Sequence, residues 1–187
     1  MTEALWALGR GTGIVALVMF TLTLVLGVTT RSGRPAAGLS RFGVADLHRT
    51  AALTGTGLVL AHLVSLFFDP YAQLRLVDFV VPFLGSYRPI WLGLGTLAVD
   101  LLAVVTVVSL LRHRVGPRVF KAVHWATYLL WPVALLHAVG TGTDAGTPWM
   151  TAIAAACVGA VTAALGWRLL PSFGSRGWHR NPRKVTA

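Results

Sequence analysis

Residues 48–68 read HRTAALTGTGLVLAHLVSLFF, twenty-one positions with an imidazole at the first, another at the fifteenth, and Arg49 as the one cation. About 20 apolar residues in helical form span a hydrocarbon core roughly 30 Å thick. The stretch therefore reads as a membrane span with a histidine near each end. Working outward, residues 6–28 form another such run, interrupted by Arg10. Residues 90–111 form a third with Asp100 at the centre, and 122–139 and 149–170 supply two more. A closed β-barrel is the other spanning architecture, and its alternating segments of about ten residues are absent. The first run is not a cleaved signal, since no basic region precedes it and it is too long. The expectation is an all-α polytopic membrane helix bundle of about five transmembrane helices, set in the lipid bilayer of the cell membrane.

Composition agrees. The chain has 187 residues, 55% hydrophobic and 12% charged, with formal net charge +10. A soluble domain carries about 25% charged residues. Disorder is excluded by the apolar content, and a nucleic-acid partner is not expected because the chain lacks the residues for a polar surface. The single Cys157 makes no disulfide framework, cysteine-based zinc site or iron–sulfur cluster.

The cations orient the spans. Arg31, Arg34, Arg41 and Arg49 lie between the first two spans, and Arg112, Arg114, Arg118 and Lys121 between the third and fourth. Arg168, Arg176, Arg180, Arg183 and Lys184 follow or close the fifth. Arg10, Arg75 and Arg88 lie on the opposite side with Glu3, Asp69, Asp78 and Asp144. The N-terminus is expected outside and the C-terminus in the cytoplasm.

Four of the six histidines fall within spans, where ionisable groups are costly and mark function. His48 and His62 are fourteen residues apart, His124 and His137 thirteen, so each pair is separated by roughly 20 Å along its helix. The second and fourth spans run in the same direction. His48 and His124 are therefore level near the inner face, His62 and His137 level near the outer face. Two facing imidazoles at each of two depths would ligate two stacked haems b. No pair has the i, i+3 or i, i+4 spacing that a zinc or copper ion uses, and no C-x-x-C-H motif is present for covalent attachment. Fourteen residues return His62 to within about 40° of His48, whereas thirteen leave His137 roughly 220° from His124. A kink at Pro132 is expected to correct that phase. The competing reading makes all four imidazoles interhelical hydrogen-bonding groups.

The segments LHRTAALTGTGLVLAHL (47–63) and HWATYLLWPVALLHAVGTGTD (124–144) resemble the ferric reductase-like transmembrane domain. That family includes the haem-binding cores of ferric reductases, NADPH oxidases and the bacterial methionine sulfoxide reductase haem subunit. The resemblance covers residues 5–170 and leaves 171–187 as a basic cytoplasmic tail. It implies that His48 pairs with His124 and His62 with His137 around two haem irons, in transmembrane electron transfer. The chain departs from the oxidase pattern in lacking a C-terminal FAD and NAD(P)H domain, and has five spans where six are usual. The implied donor is then a separate reductase or redox partner protein, bringing flavin or a quinone.

Several neighbours carry paired readings. Gly55 and Gly57, midway between His48 and His62, would admit a flat macrocycle or a neighbouring helix. Arg49 and Lys121, with Arg41 and Arg118, would neutralise inner-haem propionates, or serve only as positive-inside anchors. Arg10 would contact an outer-haem propionate, or snorkel outward. Asp100 would be protonated, bonded to a threonine or histidine, or paired with Arg10. Trp6, Trp91, Trp125, Trp149 and Trp167 read as interfacial anchors, Trp131 and Cys157 as packed interior. Residues 69–89 would form an interfacial lid. The function expected is a di-haem b electron-transfer subunit of an oxidoreductase. The alternatives are a quinol-linked cytochrome b and a non-redox small transporter or scaffold.

Overall fold

The computed structural model describes residues 2–36, 38–70, 72, 74–170 and 173. The expected tail, with Arg176, Arg180, Arg183 and Lys184, lies outside the described residues apart from Phe173, which meets Trp167 edge-on at 5.3 Å. The described residues form six α-helices: α1 (Thr2–Ser32), α2 (Arg41–Phe67), α3 (Pro89–Leu110), α4 (Arg112–His124), α5 (Thr127–Thr141) and α6 (Pro148–Leu169). No strand occurs among the described residues, only an isolated bridge between Ala36 and Leu39.

Local chemistry sets the helix ends. Gly33 follows α1 at φ 69°, a left-handed stop that needs no Cβ. The Ser40 side chain accepts the Gly43 amide to cap α2. Pro89 and Pro148 open α3 and α6, where a missing N–H costs nothing.

Helices α1, α2, α3 and α6 are each long and apolar enough to cross a membrane, and the bent pair α4–α5 brings the number to five where it is counted as one broken span. Val15, Leu60, Val104, Leu136 and Val158, one from each long helix and α5, all turn outward with more than two fifths of their surface exposed. Such a surface suits lipid and not water. The protein is a multi-pass membrane protein.

Two expectations change here. The segment RHRVGPRVFK is not a plain link, since it forms most of the amphipathic helix α4, broken at Gly116 (φ 79°) ahead of Pro117. The fourth span also does not run unbroken from 122. The chain bends by 48° between α4 and α5, across Trp125 and Ala126, while α5 passes through Pro132 without interruption. The change of phase between His124 and His137 is thus made at the α4–α5 bend.

Two helix pairs carry most of the contact, α1 with α2 and α3 with α5, and α1 also meets α5 and α6. Neither α2–α3 nor α2–α5 is an extensive contact, so α2 stands apart from the α3–α5 layer. Leu17, Trp131, Cys157 and Val161 form the buried centre, with Phe20, Leu24, Leu135 and Ile153 against them. Trp131 Nε1 donates to Thr21 Oγ1 at 2.9 Å, which satisfies the buried indole.

The segment before α3 holds a short 3-10 turn, Leu76–Phe79. Asp78 accepts from the Arg75 backbone at 2.9 Å and from its guanidinium at 3.0 Å, and its carbonyl accepts from Thr96 at 2.7 Å. Phe83, at φ 69°, lies directly on Gly93, where a Cβ would collide with it. These contacts tie residues 75–84 to the first turns of α3.

Candidate functional site

The four intramembrane histidines meet in two pairs. His48 and His124 hold ring centres 6.2 Å apart at 71°, and His62 and His137 hold theirs 6.5 Å apart at 81°. His48 and His62 lie on α2, His124 at the end of α4 and His137 on α5. The pairs sit about 21 Å apart along α2, counted at 1.5 Å per residue.

Backbone carbonyls determine which ring nitrogen is free. His48 Nδ1 lies 2.9 Å from Thr23 O, His62 Nδ1 2.6 Å from Gly9 O, and His137 Nδ1 2.8 Å from Trp91 O. A carbonyl only accepts, so each Nδ1 carries the hydrogen and donates it. In a neutral imidazole Nε2 then keeps its lone pair. Each of the three is therefore in the tautomer a metal ligand needs, with its second nitrogen fixed by a backbone group. His124 differs: its Nδ1 is buried with no hydrogen-bond partner, and its ring stacks on Phe120 at 5.2 Å.

The ring separations allow a direct fit test. Metal–nitrogen bonds of about 2.0–2.1 Å on either side, plus about 1.1 Å from each nitrogen to its ring centre, put two axial imidazoles roughly 6.3 Å apart. Both pairs match that distance, so their separations fit bis-histidine haem ligation. Among the described residues no three His, Cys, Asp or Glu side chains converge as a metal-ion site.

Other expected residues fall in various places. Gly55 is buried against Phe20 and Met19 of α1, while Gly57 faces open space. Arg49, Arg118 and Lys121 are exposed, and Arg41 lies over the Phe42 ring at 4.7 Å. Arg10 bonds Thr143 and Asp144 in the α5–α6 connection and lies over Trp6 at 4.8 Å. The ion pair of Arg10 is thus made with Asp144, and the alternative pairing with Asp100 is not formed. Asp100 is half-buried midway along α3. Near the basic end, Arg168 bonds the Tyr128 hydroxyl and covers Trp125 at 4.9 Å.

Three glycines escaped the reading of the sequence. Gly13 and Gly27 on α1 and Gly95 on α3 lie directly beneath His62, His48 and His137. A signal existed: Gly13 and Gly27 are fourteen residues apart, as are His48 and His62. On two antiparallel neighbouring helices, equal spacing places each glycine opposite one imidazole.

Against known proteins, the family model described as ferric reductase like transmembrane component matches residues 12–135. The match includes His48, His62 and His124 and ends two residues before His137. No curated protein and no solved structure matches the chain.

Proposed function

Because the chain belongs to the family of the ferric reductase like transmembrane component, we propose that it is a di-haem b protein that carries single electrons from one face of the bilayer to the other. The observation that carries this reading is the double one of two imidazole pairs at 6.2 and 6.5 Å, set at two depths. His48 with His124 would hold one haem and His62 with His137 the other. Haem held by an imidazole on each side supplies one-electron oxidation and reduction without an open position for substrate.

The chain's own residues bind, orient and insulate. Thr23, Gly9 and Trp91 orient three of the rings through their carbonyls. The buried apolar centre about Leu17, Trp131 and Val161 supports a dry interior for the bundle. Arg41, Arg49, Arg118 and Lys121 put positive charge at the His48–His124 end, where it favours propionates and an electron-rich centre. Arg10, held by Thr143 and Asp144, closes α1 onto the α5–α6 connection near the other end.

By the distribution of cations, the His48–His124 end faces the cytoplasm. A separate flavoprotein or a quinol supplies electrons there, and an acceptor takes them outside. Proteoliposomes with a trapped one-electron acceptor and reduced flavin outside test this. Protein-dependent reduction of the trapped acceptor, lost in His48→Ala, is expected; equal leakage with and without protein would overturn the reading.

A further inference from the structure

Each of three candidate ligands rests on a neighbouring helix in the same way. The carbonyl that receives Nδ1–H belongs to Gly9, Thr23 or Trp91, and the residue four positions later is Gly13, Gly27 or Gly95. A Cβ at Gly13 would lie 3.1 Å from His62 Cε1 and Nδ1. At Gly27 it would lie 3.2 Å from His48 Cε1, and at Gly95 2.5 Å from both His137 Cε1 and Nδ1. In an α-helix the carbonyl of residue i points along the axis toward the amide of residue i+4. An outside donor reaching that carbonyl must pass over the side-chain position of residue i+4. Glycine alone leaves it clear.

The fourth histidine supports this by contrast. His124 has no such carbonyl, and α3 carries no glycine beyond Gly95. Its ring is stacked on Phe120 of its own helix instead. The outer ends of α3 and α5 also interlock twice. His137 lies on Gly95, while the Trp91 ring lies on Gly140, whose carbonyl accepts from Arg88 at 2.8 Å.

We propose that Gly13, Gly27 and Gly95 are positioning residues for the axial imidazoles: each seats one ring so that Nδ1 binds a carbonyl and leaves Nε2 for the centre shared with the partner ring, His137 and His62 across the α2–α5 gap and His48 across the α2–α4 gap. This rests on the haem reading above and adds a prediction specific to each pair. Gly27→Ala acts on the His48–His124 centre alone, and Gly13→Ala and Gly95→Ala on the His62–His137 centre alone. Gly95→Ala is the most severe, because the imidazole there has the least room. Gly11→Ala and Gly159→Ala, where a Cβ meets nothing within 4 Å, serve as controls.

The experiment is haem quantification with low-temperature difference spectra and low-spin EPR on the purified full chain and its variants. The expected result is two haems in the parent and both controls. Gly95→Ala loses one haem, and Gly13→Ala and Gly27→Ala each shift the EPR signal of one centre and leave the other unchanged. Retention of both unaltered signals in all three variants would overturn the proposal, as would equal loss of both haems from each of them. A parent without haem would instead overturn the functional reading on which it rests.

Discussion

His62 of α2 and His137 of α5 bring their ring centres to 6.5 Å while donating to different neighbours, one to Gly9 of α1 and the other to Trp91 of α3. Four helices thus converge on one point, although α2 and α5 have little direct contact of their own. Near the basic end three helices meet: His48 of α2 donates to Thr23 of α1 and faces His124 at the end of α4.

If each pair holds one haem as proposed, removal of either ring of a pair is expected to remove the same haem. His62→Ala and His137→Ala each lower the haem content from two to one per chain, and the double variant goes no lower. His48→Ala and His124→Ala take the other haem. A haem assay combined with EPR checks this, and losses that add within a pair would refute the pairing.

On the di-haem proposal the two centres would be unequal in ligand strength. Donation from Nδ1 raises the basicity of an axial imidazole, and His124 alone lacks it. The less basic ligand set would stabilise the oxidised state less, so the expected midpoint potential is higher for a His48–His124 centre. One hydrogen bond of about 1 kcal/mol corresponds to roughly 40 mV in a one-electron couple. The exposed cations at that end act in the same direction. Potentiometric titration of His62→Ala against His48→Ala measures the order directly; a higher potential at the His62–His137 centre would contradict it.

The membrane class and the helical bundle are legible because they depend on span length, and the meeting of His48 with His124 and His62 with His137 follows from spacing along the chain. What lay hidden depends on relations between elements. The bend at Trp125 and Ala126 carries no proline, and Pro132, which attracted attention, sits inside an unbroken helix. The cations of α4 suit a solvated link equally well in one dimension, and their amphipathic arrangement exists only once the segment is helical. Gly55 and Gly57 lie between two histidines of one helix, and neither touches an imidazole. The glycines that touch imidazoles lie on the neighbouring helices, where only the equal spacing of fourteen residues announced them. Arg10 stands out in the sequence as a charge inside the first span, but its partner in the α5–α6 connection is 134 residues away.

Trp131 bonds Thr21 inside the apolar centre. Trp131→Phe keeps most of the ring and loses the bond, at a cost of about 0.5–1.5 kcal/mol. Trp131→Ala also leaves a cavity and costs about 3–5 kcal/mol. Denaturant titration in detergent micelles, followed by far-UV circular dichroism, gives both values. Equal costs for the two variants would show that the indole contributes no packing.

Outside the spans, the hydrogen bonds from Arg75 hold the Asp78 carboxyl below the usual carboxylate range. Because its folded value is the lower one, the stabilisation is complete above the unfolded value of about 3.9 and is lost as the pH falls through the folded value. Amide exchange of residues 76–84 should accelerate below that point, while Asp78→Asn exchanges faster at neutral pH and shows little further change on acidification. Hydrogen exchange read by mass spectrometry between pH 6 and pH 2.5, corrected for the intrinsic rate, is the check. Unchanged protection across the range would remove the ion pair from the account.

The most direct test of the central claim is the haem-to-polypeptide ratio of the purified chain, taken with its reduced-minus-oxidised spectrum. The account predicts two haems b per chain, low-spin, with a b-type α-band on reduction. A ratio of one or zero, or a high-spin spectrum indicating an open iron position, would contradict it.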